Sequence, residues 1–157
     1  MSENWTSGDG KRIGFDDIIG FISEHATTEG KVYVGTDSHM RGNHCEFSSA
    51  IVIYSEADRK GGTYFYRKQR YPRADFNQLR HRISTEVQHS IDVSCRMMEV
   101  VPNVNIEIHI DSSPVASGTK TSKFSDGLVG YAIGMGFDAK IKPEAWAASN
   151  IADKHAK

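Results

Sequence analysis

The chain has few of the features that mark special classes of protein. It contains two cysteines and four prolines, and no apolar run reaches the roughly 18 residues of a membrane-spanning helix. Cys45 and Cys95 lie far apart and form no CxxC pair, which favours a reducing compartment over a disulfide scaffold. The polar start, residues 1–12, lacks the apolar core of a signal peptide. We therefore expect a cytoplasmic protein with no membrane partner.

Neither sign of charge dominates the composition. Lys and Arg total 19 against 20 for Asp and Glu, so the net charge carries no signature of nucleic-acid binding but leaves room for a local basic patch. The chain has 157 residues, of which 38% are hydrophobic, and this is enough for one core. The sequence predicts a single domain spanning residues 1–157.

The order of the predicted elements indicates an α/β fold. Apolar residues at helical spacing predict a first helix within residues 15–25. Three β-branched or aromatic runs with turn residues between them predict an antiparallel meander. A long amphipathic helix is predicted from Asp75 to the turn at Pro102. A strand at residues 103–111 and a helix at 123–136 follow it. The last predicted elements are a short strand at residues 137–143 and a final helix at 144–157.

This order predicts a five-stranded mixed sheet with helices on both faces and an extra N-terminal helix. A right-handed crossover would place the fourth strand parallel to the first. Asp37 is expected to close the first strand and Asp111 the fourth, so that two carboxylates lie at one edge of the sheet, where such folds bind ligands. Two like charges at roughly 4 Å repel by about 4 kcal/mol at an effective dielectric near 20. A divalent cation between them is the simplest explanation.

Acids in these positions resemble those of the ribonuclease H-like nuclease superfamily. More narrowly, the motifs GTDSH, ISTE and HID, together with the tail GMGFDAKIKPEAWAAS, are similar to the YkuK-like family of predicted ribonuclease H-like proteins. The similarity covers nearly the whole chain. It implies that Asp37 is the acid of the first strand, Glu86 the helix acid and Asp111 the acid of the fourth strand. It also implies a fourth acid at Asp153 in the last helix, with Ser149 or Asn150 as alternatives at that turn.

The chemistry of phosphodiester hydrolysis gives an independent reason for these residues. The reaction needs an activated water and a neutralised leaving oxygen, which two Mg²⁺ or Mn²⁺ ions about 3.5–4 Å apart can supply. Carboxylates are the hard oxygen ligands that such ions prefer. Asp37 would bridge both ions, Glu86 and Asp111 would hold one, and Asp153 would help to hold the other. The candidates for proton transfer are His39 and His155.

A basic segment precedes Glu86 and overlaps the end of the third strand and the start of the long helix. One interpretation of its position is that it binds the phosphate backbone of a nucleic-acid substrate. A solvated charged face is the alternative. The candidate nucleic-acid-binding residues are Arg67, Lys68, Arg70, Arg73, Arg80 and Arg82.

Each choice has a plain structural alternative. Glu86 lies at the edge of the apolar stripe of its helix and could face solvent, and Asp153 could be an exposed acid. His109, on the same strand face as Asp111, is expected to be a hydrogen-bonded structural residue.

The sequence therefore predicts a divalent-metal-dependent nuclease for RNA, RNA–DNA hybrid or structured DNA. One alternative is a catalytically weak or inactive ribonuclease H-like module that binds nucleic acid or protein. The other is an actin-like phosphotransferase or ATPase, which would need a second domain for which this chain is too short.

Overall fold

The structure is a computed structural model that describes residues 4–25, 31–54, 63–112 and 124–147. Within these ranges seven strands form one mixed sheet in the order β2-β1-β5-β4-β3-β6-β7. The strands are β1 Trp5–Ser7, β2 Arg12–Ile13, β3 Lys31–Arg41, β4 His44–Tyr54, β5 Thr63–Pro72, β6 Asn105–His109 and β7 Asp138–Lys140. The helices are α1 Phe15–His25, α2 Leu79–Val100 and α3 Ser125–Gly134, and a short 3-10 helix, Arg73–Phe76, precedes α2.

The predicted meander and crossover are confirmed. Strands β3, β4 and β5 pair antiparallel in sequence order, and the turn between β3 and β4 uses Gly42 at φ 54°. Strand β6 returns parallel to β3 after helix α2, and β7 lies parallel to β6. The first strand of the meander is thus a central strand of the sheet, with β4 and β6 on either side.

The prediction of five strands is wrong for the part of the chain that the structure describes. The additional pair, β1 and β2, is a small hairpin that extends the sheet beyond β5, with Trp5 opposite Arg67. Its turn contains Gly10 at φ 90°. Strands of three and two residues are too short to show a period-2 pattern, and only Trp5 among them is fully buried.

Helix α2 buries the apolar stripe that predicts it. Ile83, Val87 and Ile91 are buried against the sheet, and the helix ends at Val100 before Pro102. It starts at Leu79, later than predicted, because Phe76 belongs to the preceding 3-10 helix and packs with Cys45 and Phe47 in a separate small cluster.

The two faces of the sheet differ in chemistry. Alternate residues of β3 and β6, including Val32 and Ile108, face α2 and join the main apolar core, to which all three α-helices contribute. We call this the helix face, and the face that carries Tyr33 and Glu107 the second face. The final predicted helix, residues 144–157, lies mostly outside the described residues, so the prediction of helices on both faces stays a prediction.

Helix α3 ends as the sequence predicts. Gly136 follows it at φ 99°, a left-handed conformation that glycine adopts without strain. Cys45 and Cys95 are both free thiols. No helix among the described residues is long and apolar enough to cross a membrane.

Candidate active site

The site predicted at the sheet edge lies where strands β3 and β6 stop pairing. Their parallel ladder runs from Lys31↔Asn105 to Gly35↔His109. Asp37 and Asp111 each follow two residues later. The two acids therefore lie just beyond the last paired residues of two neighbouring parallel strands.

Neither acid is the last residue of its strand, which corrects the sequence interpretation. Strand β3 continues to Arg41 because its other edge remains paired with β4, and Asp37 lies opposite Ser48. Strand β6 ends at His109, before Asp111. Asp37 thus lies within the continuous ladder with β4 and two residues beyond the last pair of the ladder with β6.

Asp37 points to the second face. Its neighbours Thr36 and Ser38 both contact helix α2, and successive residues of a strand point to opposite faces. Asp37 is buried, with 6% of the residue exposed, and its Oδ2 lies 3.3 Å from His39 Nε2. The predicted proton-transfer candidate His39 is therefore in contact with the predicted metal-bridging acid.

Glu86 faces the sheet, not solvent. It is buried on α2, and its Oε2 accepts a 2.5 Å hydrogen bond from Ser38 Oγ. Burial raises the pKa of Glu86 to about 8, since a buried carboxylate loses its hydration. The Ser38 hydrogen bond opposes this shift, whereas the negative charge of Asp111 adds to it. Glu86 and Asp111 thus interact electrostatically.

Asp111 has a cation beside it. Lys142 Nζ lies 2.7 Å from Asp111 Oδ1, an ion pair across the end of the sheet. Asp111 Oδ1 is buried and makes no hydrogen bond of normal geometry with the described residues. The ammonium group therefore lies next to the Asp111 carboxylate, where positive charge is favourable.

A ladder of small hydroxyl groups fixes α2 against this part of the sheet. Thr36 Oγ1 lies 2.9 Å from Ser49 Oγ on β4 and 2.8 Å from Ser90 Oγ on α2. One helical turn earlier, Ser38 contacts Glu86. The sequence analysis missed these positioning residues, although alternate hydroxyl residues in β3 are the signal that could have found them.

The described residues include only part of the predicted set of metal ligands. Among them no group of three His, Cys, Asp or Glu side chains is close enough to hold a metal ion, so Asp37, Glu86 and Asp111 are not gathered into one shell. The remaining predicted residues, Asp153 and His155 with the alternatives Ser149 and Asn150, lie outside the described residues.

His109 anchors the chain that leads toward the predicted last helix. Its Nδ1 accepts hydrogen bonds from the backbone N–H groups of Trp146 (3.1 Å) and Ala147 (3.0 Å), so the ring proton lies on Nε2 and is donated to Glu107 Oε2 at 2.7 Å. The Trp146 ring packs on Tyr33. The expectation of a hydrogen-bonded structural histidine is confirmed.

The predicted basic segment is divided between the faces of the sheet. Lys68 and Arg70 lie on the second face, where they pair with buried Glu46 at 3.8 and 2.9 Å. Arg67 lies on the helix face over the Trp5 ring. Alternation along β5 separates side chains that are adjacent in sequence.

The other three arginines also occupy separate places. Arg73 Nη1 donates to the Gly42 carbonyl at 3.1 Å, and Arg80 lies over the Phe124 ring. Arg82 is close enough to Glu86 for its charge to oppose the rise in the pKa of that carboxyl. Arg82 thus interacts electrostatically with a proposed ligand.

Comparison with known proteins supports the fold assignment. A family model described as Ribonuclease H-like matches residues 14–157. No curated protein matches the chain.

Proposed function

Because this match shows that the chain belongs to the ribonuclease H-like family, we propose that it is a divalent-metal-dependent nuclease for RNA, RNA–DNA hybrid or structured DNA. The observation that carries the proposal is the end of the β3–β6 ladder, since Asp37 and Asp111 each lie two residues beyond its last pair, Gly35↔His109. The negative charge of Asp111 is close enough to Glu86 to contribute to the rise in the pKa of that carboxyl.

The predicted ligands suit a hard divalent cation by donor type, although the described side chains are not gathered into one shell. All three predicted ligands are carboxylates, the donors that Mg²⁺ and Mn²⁺ prefer. Asp111 Oδ1 is buried and makes no hydrogen bond of normal geometry with the described residues, and its ion pair with the Lys142 ammonium supports a place for positive charge beside this carboxylate. Asp37, Glu86 and Asp111 would hold the metal, with Asp153 as a further proposed ligand.

Side chains of the protein would have separate roles in hydrolysis. Bound divalent ions supply Lewis acidity for the attacking water and the leaving oxygen. Ser38 orients the Glu86 carboxylate through its hydrogen bond. His39, whose Nε2 lies 3.3 Å from Asp37 Oδ2, would exchange a proton with the attacking water.

A cleavage assay tests the proposal. Labelled single-stranded, duplex, hybrid and branched substrates are incubated with Mg²⁺, with Mn²⁺ or with EDTA. We expect metal-dependent cleavage that falls roughly 100-fold or more in Asp37→Asn, as for loss of other key catalytic groups. Asp138→Asn, the same change on exposed β7, should retain activity.

The separation of the three acids favours one second candidate, a ribonuclease H-like module that binds nucleic acid or protein without cutting it. Binding of the panel with no metal-dependent cleavage of any member would support that function and reject the nuclease. Cleavage that Asp37→Asn leaves intact would reject the assigned site.

A further inference from the structure

Strand β7 lies at one edge of the sheet. Among the described residues it pairs only with β6, in a parallel ladder of three residue pairs. The Ile110 N–H donates to the Lys140 carbonyl, so residue 140 directs its backbone groups toward β6. Because backbone groups alternate in direction along a strand, the N–H and C=O of Ala139 point away from β6. The outer edge of β7 thus offers a backbone donor and an acceptor to another strand.

The side chains on either side of Ala139 carry opposite charges. Asp138 and Lys140 are both exposed, and both point to the second face because they lie opposite Glu107 and His109. A lysine on an edge strand usually hinders pairing with another chain. An antiparallel strand related by a two-fold axis at Ala139 would instead place Lys140 opposite Asp138 of the second copy, and the reverse. The charges of this edge are therefore complementary to themselves.

Helix α3 places an apolar side chain beside the same edge. The helix packs against both β7 and α2, and the Tyr131 hydroxyl donates to Gln88 Oε1 on α2. Ile133 lies about 200° farther around the helix, so it points away from α2 and toward the open edge of the sheet. Ile133 is 57% exposed. The same helix of a second copy, paired through β7, would cover this side chain.

We propose that two copies of the chain associate through antiparallel pairing of their β7 strands about a two-fold axis. Each Ala139 exchanges both backbone hydrogen bonds with its counterpart, as in the hydrogen-bonded pairs of an antiparallel ladder. Asp138 and Lys140 form two symmetry-related ion pairs on the second face, and the two Ile133 side chains meet on the helix face. The predicted acidic ligands all come from one chain, so the proposed reaction does not require the dimer.

The proposed interface is small. Three strand residues and one helix side chain from each copy bury less than the roughly 1,200 Å² of a stable complex. We therefore expect a weak dimer with a Kd of about 10–100 μM. Sedimentation velocity of the full chain in EDTA, at protein concentrations from about 1 to 500 μM, covers this range on both sides. The dimer should also weaken as NaCl is raised, because the ion pairs are exposed.

Charge reversal tests the pairing of the two strands. Asp138→Lys sets lysine opposite lysine in the dimer, and Lys140→Asp sets aspartate opposite aspartate, each twice by symmetry. Either variant alone should have a Kd at least about tenfold higher than the wild type. An equal mixture of the two should associate like the wild type, because the lysines of one variant face the aspartates of the other. Glu99→Lys, a charge reversal at an exposed position of α2, is the matched control and should dimerise normally.

A second pair of variants tests the contact between the helices. Ile133→Ser removes apolar surface at the proposed interface, so the Kd should rise about three- to tenfold. Val100→Ser makes a similar change at a residue of α2 that is 62% exposed, and it should leave the Kd unchanged.

Three results would overturn the proposal. A monomer at every concentration would reject the dimer. An equal Kd for Asp138→Lys, Lys140→Asp and Glu99→Lys would place the interface elsewhere on the molecule. Failure of the mixture to restore association would reject the antiparallel pairing, provided that circular dichroism shows both variants folded. Because these measurements use neither metal nor nucleic acid, absence of cleavage in a separate assay would leave them unchanged.

Discussion

Ser38 Oγ donates a 2.5 Å hydrogen bond to Glu86 Oε2, joining strand β3 to helix α2 one residue after Asp37. This hydrogen bond favours the ionised carboxylate, yet the pKa of Glu86 is still raised to about 8 because burial outweighs it. In the metal-free protein at neutral pH, Glu86 is therefore mostly protonated. A bound cation would reverse this balance, so metal binding and proton release should be coupled.

Glu86→Gln should stabilise the metal-free protein at alkaline pH. The pKa of the carboxyl is 4.5 when exposed and about 8 when folded, so the folded state binds more protons between these values. The stability of the wild type must then fall as pH rises through that window. The glutamine of the variant does not titrate, so the variant does not lose this stability. Above pH 8 its free energy of unfolding should exceed that of the wild type by a few kcal/mol.

Urea denaturation in EDTA at about pH 4, 6 and 9 measures this effect. Glu99→Gln, the same change at an exposed position of α2, is the control and should show no such trend. An advantage of Glu86→Gln that is equal at all three pH values would mean that packing, not titration, causes it.

Lys142→Met should tighten the binding of Mn²⁺. The ammonium lies 2.7 Å from Asp111 Oδ1 and repels a cation that approaches the same carboxylate. Because the Lys142 side chain is 46% exposed, solvent screens this repulsion, and the gain should be about two- to fivefold. Calorimetric titration measures it, with Lys140→Met on β7 as the control. Weaker binding of Mn²⁺ by the Lys142 variant would instead mean that the lysine helps to hold the metal ligands in position.

The central part of the fold was predictable from local patterns. Alternating residues and turn signals define β3, β4 and β5, and the 3.6-residue period defines α2. The hairpin of β1 and β2 was not predictable, because its short polar strands carry no period and are defined by pairing with β5.

The candidate site was predictable only in part. The position of Asp37 and Asp111 just beyond the paired segments of two neighbouring parallel strands followed from topology, but the continuation of β3 past Asp37 depends on its ladder with β4. The inward orientation of Glu86 depends on Ser38, a partner distant in sequence. Lys142 reaches Asp111 through a tertiary contact that no local motif marks.

The salt dependence of nucleic-acid binding should depend on Lys68 and Arg70. Both lie on the second face with Asp37, whereas Arg67 lies on the helix face. Replacing Lys68 and Arg70 by Ala should reduce the slope of log K against log salt by about 0.9 for each lost phosphate contact on duplex DNA. Arg80→Ala is the matched control.

Fluorescence anisotropy at a series of NaCl concentrations gives these slopes. The sequence grouped Arg80 with the other basic residues, but the structure places it over Phe124 on the helix surface. An unchanged slope in the double variant would mean that Lys68 and Arg70 are structural partners of Glu46 and do not contact phosphates.

The last prediction concerns the anchor at His109, which is almost fully buried. His109→Leu removes the acceptor for the N–H groups of Trp146 and Ala147 and the donor to Glu107. Each unsatisfied buried group costs about 1–3 kcal/mol, so the free energy of unfolding should fall by about 3 kcal/mol or more. Urea denaturation measures the loss. His44→Leu, the same change at an exposed position, should leave stability nearly unchanged.

Trp146 reports whether the loss is local to this anchor. The chain has two tryptophans, so a Trp5→Phe background isolates the emission of Trp146, which packs against Tyr33 and His109. In that background His109→Leu should shift the emission to longer wavelength below the unfolding transition, because the indole loses its packed surroundings. An unshifted spectrum with full stability would show that the backbone N–H groups find other acceptors and that His109 does not hold this segment.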